Sequence, residues 1–207
     1  MANLNGIFIT FEGGEGTGKS TQVKLLAEWL TEAKHDVFTL REPGGEETAE
    51  KIRQIILDPP SPLTTNAELL LFLASRSQVC EKLIKPHLHK GSVVICDRFI
   101  DSSAVYQGYV RGIELGEVNN LNLFATGNIK PDLTILLDID PKIGLSRQED
   151  QNRFEKEGLE FHQKIRQAYL DLAKNNPDRI KVVDASGTVD EVHEAIVKVI
   201  QSYSQNK

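Results

Sequence analysis

Residues 13–20 of this chain read Gly-Gly-Glu-Gly-Thr-Gly-Lys-Ser and match the pattern G-x-x-x-x-G-K-[ST] at each of its fixed positions. Glycines let successive backbone N–H groups turn inward and form a nest for the oxygens of a polyphosphate. Lys19 adds a mobile cation, and the Ser20 hydroxyl is an oxygen ligand of the kind that Mg²⁺ accepts. We therefore expect a nucleoside triphosphate to bind at Gly13, Gly14, Glu15, Gly16, Thr17, Gly18, Lys19, Ser20 and Thr21.

The residues on either side of this loop favour phosphate binding over the alternative, a flexible glycine-rich turn. An apolar run at 6–11 with β-branched and aromatic residues predicts a buried strand, and good helix formers at 22–30 predict a helix after the loop. The orphan N–H groups and the dipole at the start of that helix favour negative charge. The sequence context therefore agrees with the motif.

Asp97 and Arg98 come directly after another apolar run, at 92–96. A carboxylate that ends a buried strand beside a phosphate loop is well placed to hold Mg²⁺, directly or through water, so we expect Ser20 and Asp97 at the metal. The alternative for Asp97 is the cap of a helix or a loop. Arg98 is expected to bind a phosphate through two parallel hydrogen bonds.

An arginine falls within the apolar face of a helix that is predicted over 65–85. At about 100° per residue this face contains Leu69, Phe72, Leu73, Cys80 and Leu83, with Arg76 near its middle. A buried charge without a partner is costly, so Arg76 is expected to meet either a structural carboxylate or a polar ligand. Phe72 lies one turn earlier on the same side, where an aromatic ring suits a planar base.

Three further stretches are open to both a plain and a functional interpretation. Residues 41–45 form either an ordinary turn or a rigid loop close to a ligand. Residues 101–108 read as a capped helix start, but they follow Asp97 and Arg98 closely enough to reach the same cleft. The stretch at about 141–156, which contains two arginines, is either a solvated acidic loop or a mobile lid.

The 207 residues, of which 40% are hydrophobic and 26% charged, are typical of a single globular domain over 1–207. The net charge of −6 argues against a nucleic-acid polymer as partner, and an anionic substrate requires local positive charge. Cys80 and Cys96 stand among apolar residues and are expected in the core. Since the sequence shows neither a signal-peptide pattern nor a membrane-spanning run, we expect a cytoplasmic protein without a membrane partner.

Five short apolar runs predict strands at 6–11, 36–40, 92–96, 132–138 and 180–183. Helical stretches separate them, and strands that are apolar almost throughout are typical of a parallel sheet with helices on both faces. In such sheets ligands bind beyond the carboxyl ends of the strands. The expected fold is α/β, a three-layer P-loop NTPase fold with a five-stranded parallel sheet and a small lid.

Four segments in order make the chain resemble the bacterial thymidylate kinases over nearly its whole length. They are FEGGEGTGKSTQ at the phosphate loop, REPGG after the second strand, DRFIDSSAVYQG after the third, and GLSR…NRFE leading into FHQKIRQAYL. Many NTPases share the first segment, whereas the second and third together are specific to this family. The resemblance implies transfer of the γ-phosphoryl group of ATP to thymidine 5′-monophosphate (dTMP), giving dTDP and ADP for dTTP synthesis. It also implies Mg²⁺ as cofactor and a homodimer.

The resemblance further implies a role for each matching residue. The acceptor would bind at Glu15, Arg41, Pro43, Phe72, Arg76, Arg98, Ser103, Tyr106 and Gln107, and the catalytic residues would be Lys19, Arg98, Arg147 and Arg153. In this arrangement Phe72 stacks on thymine, Arg76 bonds its carbonyl edge, and Tyr106 crowds the sugar at C2′. The phosphate loop has no basic residue before its lysine, so the chain resembles the lid-arginine type. Either Arg147 or Arg153 would then contact the migrating phosphoryl group.

Two other functions stay open from the residues alone. One is a kinase for another nucleoside or nucleoside monophosphate, and the other is a P-loop switch that binds a nucleotide with little turnover. A second anion site at Arg98 and Arg76 argues against the switch, which does not need one. In a monophosphate kinase the acceptor phosphate is already an anionic nucleophile near neutral pH, so we expect no general base and a reliance on alignment and charge neutralisation.

Overall fold

The computed structural model describes residues 4–58, 63–147, 154 and 157–205. Its strands are β1 Phe8–Glu12, β2 Val37–Arg41, β3 Val93–Asp97, β4 Leu133–Asp138 and β5 Ile180–Asp184. They form one sheet in the order β2-β3-β1-β4-β5, and every neighbouring pair is parallel. The predicted five-stranded parallel sheet is therefore confirmed, with small shifts at the strand ends.

Helices connect and cover the strands. They are α1 Lys19–Glu32, α2 Glu47–Leu57, α3 Thr65–Val79, α4 Lys85–His89, α5 Ile100–Ser103, α6 Leu115–Thr126, α7 Pro141–Ser146, α8 Leu159–Asn175 and α9 Val189–Gln205, with π-helical turns at Cys80–Ile84 and Ala104–Val110. Over the described ranges, none of these helices has both the length and the apolar character needed to cross a membrane.

The helix predicted over 65–85 begins at Thr65 as expected, but its predicted end is wrong. The helical path widens into a π-helix at Cys80 and continues beyond the predicted end as far as His89. Pro86 lies just after the wider turns, and it has no N–H to donate to the carbonyl oxygen of Lys82. A helix that meets a proline in this way loses one α-helical bond, which favours a local change of hydrogen-bonding pattern.

Side chains alternate along the strands, so the core has one layer on each face of the sheet. On one face, Ile9 of β1 packs with Leu26 of α1 and Ile196 of α9. On the other face, Phe8 packs edge-on against Phe99 with ring centroids 4.8 Å apart, and α3 and α8 add apolar side chains. The three layers predicted from the sequence are therefore present.

The register between β1 and β3 determines what meets at the end of the sheet. Phe11 pairs with Asp97, so the two strands end side by side. The phosphate loop after β1 consequently begins next to the Asp97-Arg98 pair that ends β3. Cys80 and Cys96 are both buried and form no disulfide, as expected for core residues.

Candidate active site

A cleft of ≈ 750 Å³ lies beyond the carboxyl ends of the strands and contains most of the predicted site residues. Its lining includes Glu15, Gly16, Thr17, Gly18, Lys19, Ser20, Thr21, Arg41, Pro43, Phe72, Arg76, Asp97, Arg98, Ser103, Tyr106, Gln107 and Arg147. Gly13 and Gly14 line a smaller cavity behind the loop, and Arg153 lies outside the described residues. Side chains from well-separated segments of the chain thus meet at one place.

The described lining of this cleft is rich in positive charge, although the chain has a net charge of −6. Six cations line it, Lys19, Arg41, Arg53, Arg76, Arg98 and Arg147, together with three carboxylates, Glu15, Glu42 and Asp97. A concave site with such an excess of cations attracts anionic ligands. The local positive charge that an anionic substrate requires is therefore available.

The phosphate loop runs from the end of β1 to the start of α1, and its lysine folds back over it. Lys19 Nζ donates to the carbonyl oxygens of Gly14 at 2.7 Å and Gly13 at 3.2 Å, and to Thr17 Oγ1 at 3.3 Å. Burial, with a further contribution from nearby Arg98, lowers the pKa of Lys19 to about 8. A phosphate beside Nζ favours the charged form of the lysine and so opposes this shift.

The two residues predicted to hold Mg²⁺ are in direct contact. Ser20 Oγ, in the first turn of α1, donates to Asp97 Oδ2 at the end of β3 over 2.7 Å. Mg²⁺ is commonly bound by one or two protein oxygens together with phosphate and water, which this hydroxyl–carboxylate pair fits. Among the residues that the structure describes, no group of three or more His, Cys, Asp or Glu side chains could hold a metal ion.

Arg98 and Glu15 form an ion pair in the cleft, with Nη2 and Oε1 2.8 Å apart. The Tyr106 hydroxyl donates to the same Glu15 oxygen at 3.1 Å, and the Tyr106 ring centroid lies 5.5 Å from the guanidinium carbon of Arg98. Burial raises the pKa of Glu15, but Arg98 and Lys19 outweigh burial and hold that pKa below its ordinary value. Burial likewise opposes the charge of Arg98. Glu15 first, and then Tyr106, Tyr169 and Asp97, outweigh burial and raise the pKa of Arg98 well above its ordinary value.

Arg76 lies in the wall of the cleft with only 1% of its surface exposed. Its Nε donates to Glu42 Oε2 at 2.7 Å, its Nη1 to Ser103 and Asn122, and its Nη2 to the carbonyl oxygen of Phe99 at 3.0 Å. The sequence predicted either a structural carboxylate or a polar ligand as the partner of Arg76, and the structure shows a carboxylate, that of Glu42. Burial raises the pKa of Glu42, and Arg76 acts against that rise. Arg76 also lines the cleft, where a ligand can reach it. Its contact with a bound base stays a prediction.

Aromatic side chains enclose the same end of the cleft. Phe154 lies with its ring centroid 6.3 Å from that of Phe72 and 5.8 Å from that of Tyr106, which it meets edge-on. Gln107, next to Tyr106, donates from Nε2 to the buried carboxylate of Glu68 at 2.8 Å. Flat apolar walls with a few oriented polar groups are suited to a planar ligand with polar edges.

Sequence reasoning missed several residues of this lining. They include Arg53, Leu57, Phe154, Ala185, Gly187, Thr188, Val189 and Val192. The segment 185–192 follows the fifth strand, so the rule that ligands bind beyond the carboxyl ends of strands could have identified it. Arg53 lies on α2 and donates to the carbonyl oxygen of Pro43 at 2.7 Å, a contact without any local sequence signal.

The phosphate loop touches the start of the predicted lid through two glycines. Gly16 has a φ of +67°, and a Cβ atom on it would overlap the carbonyl oxygen of Gly144 in α7. A Cβ atom on Gly144 would in turn overlap the carbonyl oxygen of Glu15. The Gly144 carbonyl also accepts the backbone N–H of Arg147 at 3.1 Å. The two backbones therefore meet one helical turn before Arg147, with no room for a side chain.

Known proteins are similar to this chain in sequence and in fold. A family model described as Thymidylate kinase matches residues 11–196. A thymidylate kinase of Syntrophotalea carbinolica is 50% identical over 195 residues, 89% of this chain and 90% of the relative. One of Caldanaerobacter subterraneus subsp. tengcongensis is 45% identical and covers 97% of both chains. A crystal structure of thymidylate kinase from Ehrlichia chaffeensis has a TM-score of 0.80 at 36% identity, covering 94% of this chain and 98% of that one.

The contact between the two glycines predicts that a methyl group on Gly144 impairs turnover. In Gly144→Ala the added carbon must push α7 away from the loop and displace Arg147, so we expect the rate of phosphoryl transfer to fall by about tenfold or more. Gly158→Ala is the matched control, because a Cβ atom there meets nothing within 4 Å. Steady-state assays of both variants provide the measurement, and equal rates would contradict the prediction.

Proposed function

Because this chain belongs to the thymidylate kinase family and transfers the γ-phosphoryl group of ATP to dTMP, we propose that the cleft binds both substrates, one at each end. The supporting observation is that a single cleft contains the phosphate loop and a second set of cations, Arg41, Arg53 and Arg98. A nucleotide switch needs only the loop.

We also propose that 1–207 act as one domain, since the residues that line the cleft range from 15 to 192.

We assign ATP to the end of the cleft formed by the phosphate loop. The backbone N–H groups of residues 13–21 and Lys19 would hold its phosphates at the start of α1, where the helix dipole favours negative charge. The apolar side chains of Ala185, Val189 and Val192 line the same cleft and are suited to seat the purine ring. This assignment gives a role to the segment after β5 that the motif alone did not suggest.

We assign Mg²⁺ to Ser20 and Asp97, because their oxygens are 2.7 Å apart beside the phosphate loop. The bound ion would neutralise part of the charge on the transferring phosphates. Ser20 lies in the first turn of α1, and Asp97 lies at the end of β3. These two rigid elements keep the oxygen ligands in place without a dedicated metal cage.

We assign dTMP to the opposite end, at the residues to which the family resemblance points. These are Glu15, Arg41, Pro43, Phe72, Arg76, Arg98, Ser103, Tyr106 and Gln107. Arg76 donates only one of its two Nη2 hydrogens to a residue that the structure describes, so the other is available for a carbonyl oxygen of thymine. Arg98 would bind the acceptor phosphate on the side where Glu15 now contacts Nη2.

The chemistry of this arrangement is alignment and charge neutralisation. The acceptor phosphate is already ionised near neutral pH and needs no residue to remove a proton. Lys19, Arg98 and a lid arginine would stabilise the charge on the transferring group from different directions. The ion pairs in the cleft fix part of this charge in advance, which lowers the reorganisation required during the reaction.

The substrate assignment predicts a clear order of acceptors. With ATP and Mg²⁺ we expect dTMP to be phosphorylated in preference to thymidine and to other nucleoside monophosphates, as measured by a coupled ADP assay over a panel of acceptors. Lys19→Ala is expected to lower turnover by about 10²-fold or more, because a donor to the developing charge is lost. Lys24→Ala is the control on the same helix, where the side chain is 78% exposed. Preference for a nucleoside over its monophosphate would contradict the assignment.

The lid arginines can be separated from the binding residues by kinetics. We propose a lid over about 141–156, and we expect Arg147→Ala or Arg153→Ala to lower kcat by about 10³-fold, as for other arginines that act in phosphoryl transfer. The KM of dTMP should change little, because the interaction develops only in the transition state. Lys142→Ala, an exposed cation on α7, is the control. Full turnover in both arginine variants would exclude the lid role.

We further propose that the protein is a homodimer and works in the cytoplasm, where ATP and dTMP are available. Leu70 on α3 and Phe124 on α6 support an interface, because they are 58% and 88% exposed on neighbouring helices. Phe124→Asp should shift the molar mass measured by light scattering from twice the monomer value toward the monomer. Val182→Asp changes an exposed apolar residue on β5 and should leave the mass unaltered. A monomeric unmodified protein would rule out this assembly.

A further inference from the structure

Glu12, the last residue of β1, is a buried carboxylate outside both substrate sites. None of its surface is exposed, and it is absent from the described lining of the cleft. Its Oε1 accepts the backbone N–H groups of Phe99 at 2.8 Å and Ser102 at 3.2 Å. Its Oε2 accepts the hydroxyl groups of Ser102 at 2.7 Å and Tyr169 at 2.8 Å. All of these partners surround Arg98.

The backbone bonds hold an unusual turn in place. Arg98 has a φ of +70°, a left-handed conformation that is uncommon for a residue with a side chain. Its own N–H is bonded to the carbonyl oxygen of Phe11 at 2.9 Å, and the next N–H, that of Phe99, is bonded to Glu12. Two consecutive residues of β1 therefore stabilise the turn that directs the Arg98 side chain into the cleft.

The hydroxyl bonds act on the guanidinium group itself. When Glu12 is ionised it only accepts hydrogen bonds. The hydrogens of Ser102 and Tyr169 then turn toward Glu12 or, because the two hydroxyl oxygens are 2.9 Å apart, toward each other. In each case the oxygen lone pairs are left to face Arg98 Nη1. This nitrogen donates to the carbonyl oxygen of Gly13 at 3.1 Å and lies 3.5 Å from Ser102 Oγ and 3.4 Å from Tyr169 Oη. Glu12 thus makes both hydroxyl groups acceptors toward Arg98.

Electrostatics couple the two charged side chains even though they do not touch. Burial and then the neighbouring carboxylate Asp101 raise the pKa of Glu12 to about 7, while its hydrogen bonds and the charge of Arg98 act in the opposite direction. Asp101 has its own cation, because Arg179 binds both of its oxygens at 2.7 and 2.8 Å. Arg98 lowers the pKa of Glu12 and so supports its charge, and Glu12 in turn raises the pKa values of Arg179 and Lys19.

We propose that Glu12 is a positioning residue that holds Arg98 in the orientation needed to bind the acceptor phosphate. This inference rests on the role proposed above for Arg98, and it adds to the site a residue that contacts neither substrate. It also accounts for a charged side chain at the buried end of β1, where desolvation makes a charge costly unless it is well bonded.

The test is a double-mutant cycle of Glu12→Gln and Arg98→Ala, measured by kcat, by the KM of dTMP and by calorimetric binding of dTMP. In Glu12→Gln the amide donates to the hydroxyl oxygens, so their hydrogens turn toward Arg98 and displace it. We expect a combined loss in kcat/KM for dTMP of about 10- to 100-fold, while the KM of ATP changes by less than about twofold. In the Arg98→Ala background the same substitution should have almost no further effect.

Each outcome of the cycle is decisive. Equal losses from Glu12→Gln with and without Arg98 would overturn the proposal, because the carboxylate would then act on the fold alone. Normal dTMP binding and turnover in Arg98→Ala would instead overturn the role of Arg98 and, with it, that of Glu12. If Glu12→Gln does not fold, Tyr169→Phe takes its place in the cycle, because it keeps the carboxylate and removes one acceptor of Arg98. Equal losses from Tyr169→Phe with and without Arg98 would likewise overturn the proposal. Asp36→Asn changes a carboxylate that also accepts a serine hydroxyl, that of Ser92, but lies before β2 at the other end of the sheet. It is the control and should leave the KM of dTMP within about twofold.

Discussion

The parallel pairing of β1 with β3 is the contact on which the whole cleft depends. Because Phe11 lies opposite Asp97, both strands end together, and the segments that follow them begin at the same place. Arg98 can then donate its N–H to Phe11, and Ser20 reaches Asp97 from the first turn of α1. A slip of one residue would turn the side chains of β3 to the opposite faces of the sheet. The apolar layers on both faces oppose such a slip, since it would expose residues that they bury.

Within this frame the cleft concentrates cations that repel one another, and carboxylates compensate for the repulsion. Burial and Arg98 both lower the pKa of Lys19, whereas Glu15 and Asp97 raise it. Glu42 forms an ion pair with Arg76 in the wall of the cleft, where both side chains are almost fully buried. Lys19, Arg76 and Arg98 are therefore largely desolvated and directed before a substrate binds. A phosphoryl group that gains charge during transfer then meets donors that need little reorganisation.

Local patterns predicted what depends on local sequence, and they failed where the partner is distant. The phosphate loop, the five strands and the residues at the ends of β2 and β3 were predictable, because motif spacing and strand ends determine them. The apolar face around Arg76 predicted that it needs a partner, but Glu42 lies 34 residues away and no pattern names it. Glu12 and Tyr169 are separated by 157 residues, so their contact exists only through the packing of α8 on the sheet. The segment after β5 was missed although the same strand-end rule applies to it.

Two glutamates three residues apart act on Arg98 from opposite sides, and their burial separates their roles. Glu15 faces the cleft and contacts Nη2, so a phosphate that binds this nitrogen must share or replace that bond. Glu12 lies behind the cleft and acts on Nη1 through Ser102 and Tyr169. The first contact can be exchanged while the second stays, so Arg98 can pass from a carboxylate to a phosphate without losing its orientation. A lysine is less suited to this exchange, because its three donors share one nitrogen, whereas a planar guanidinium fixes its donors on separate nitrogens that face different acceptors.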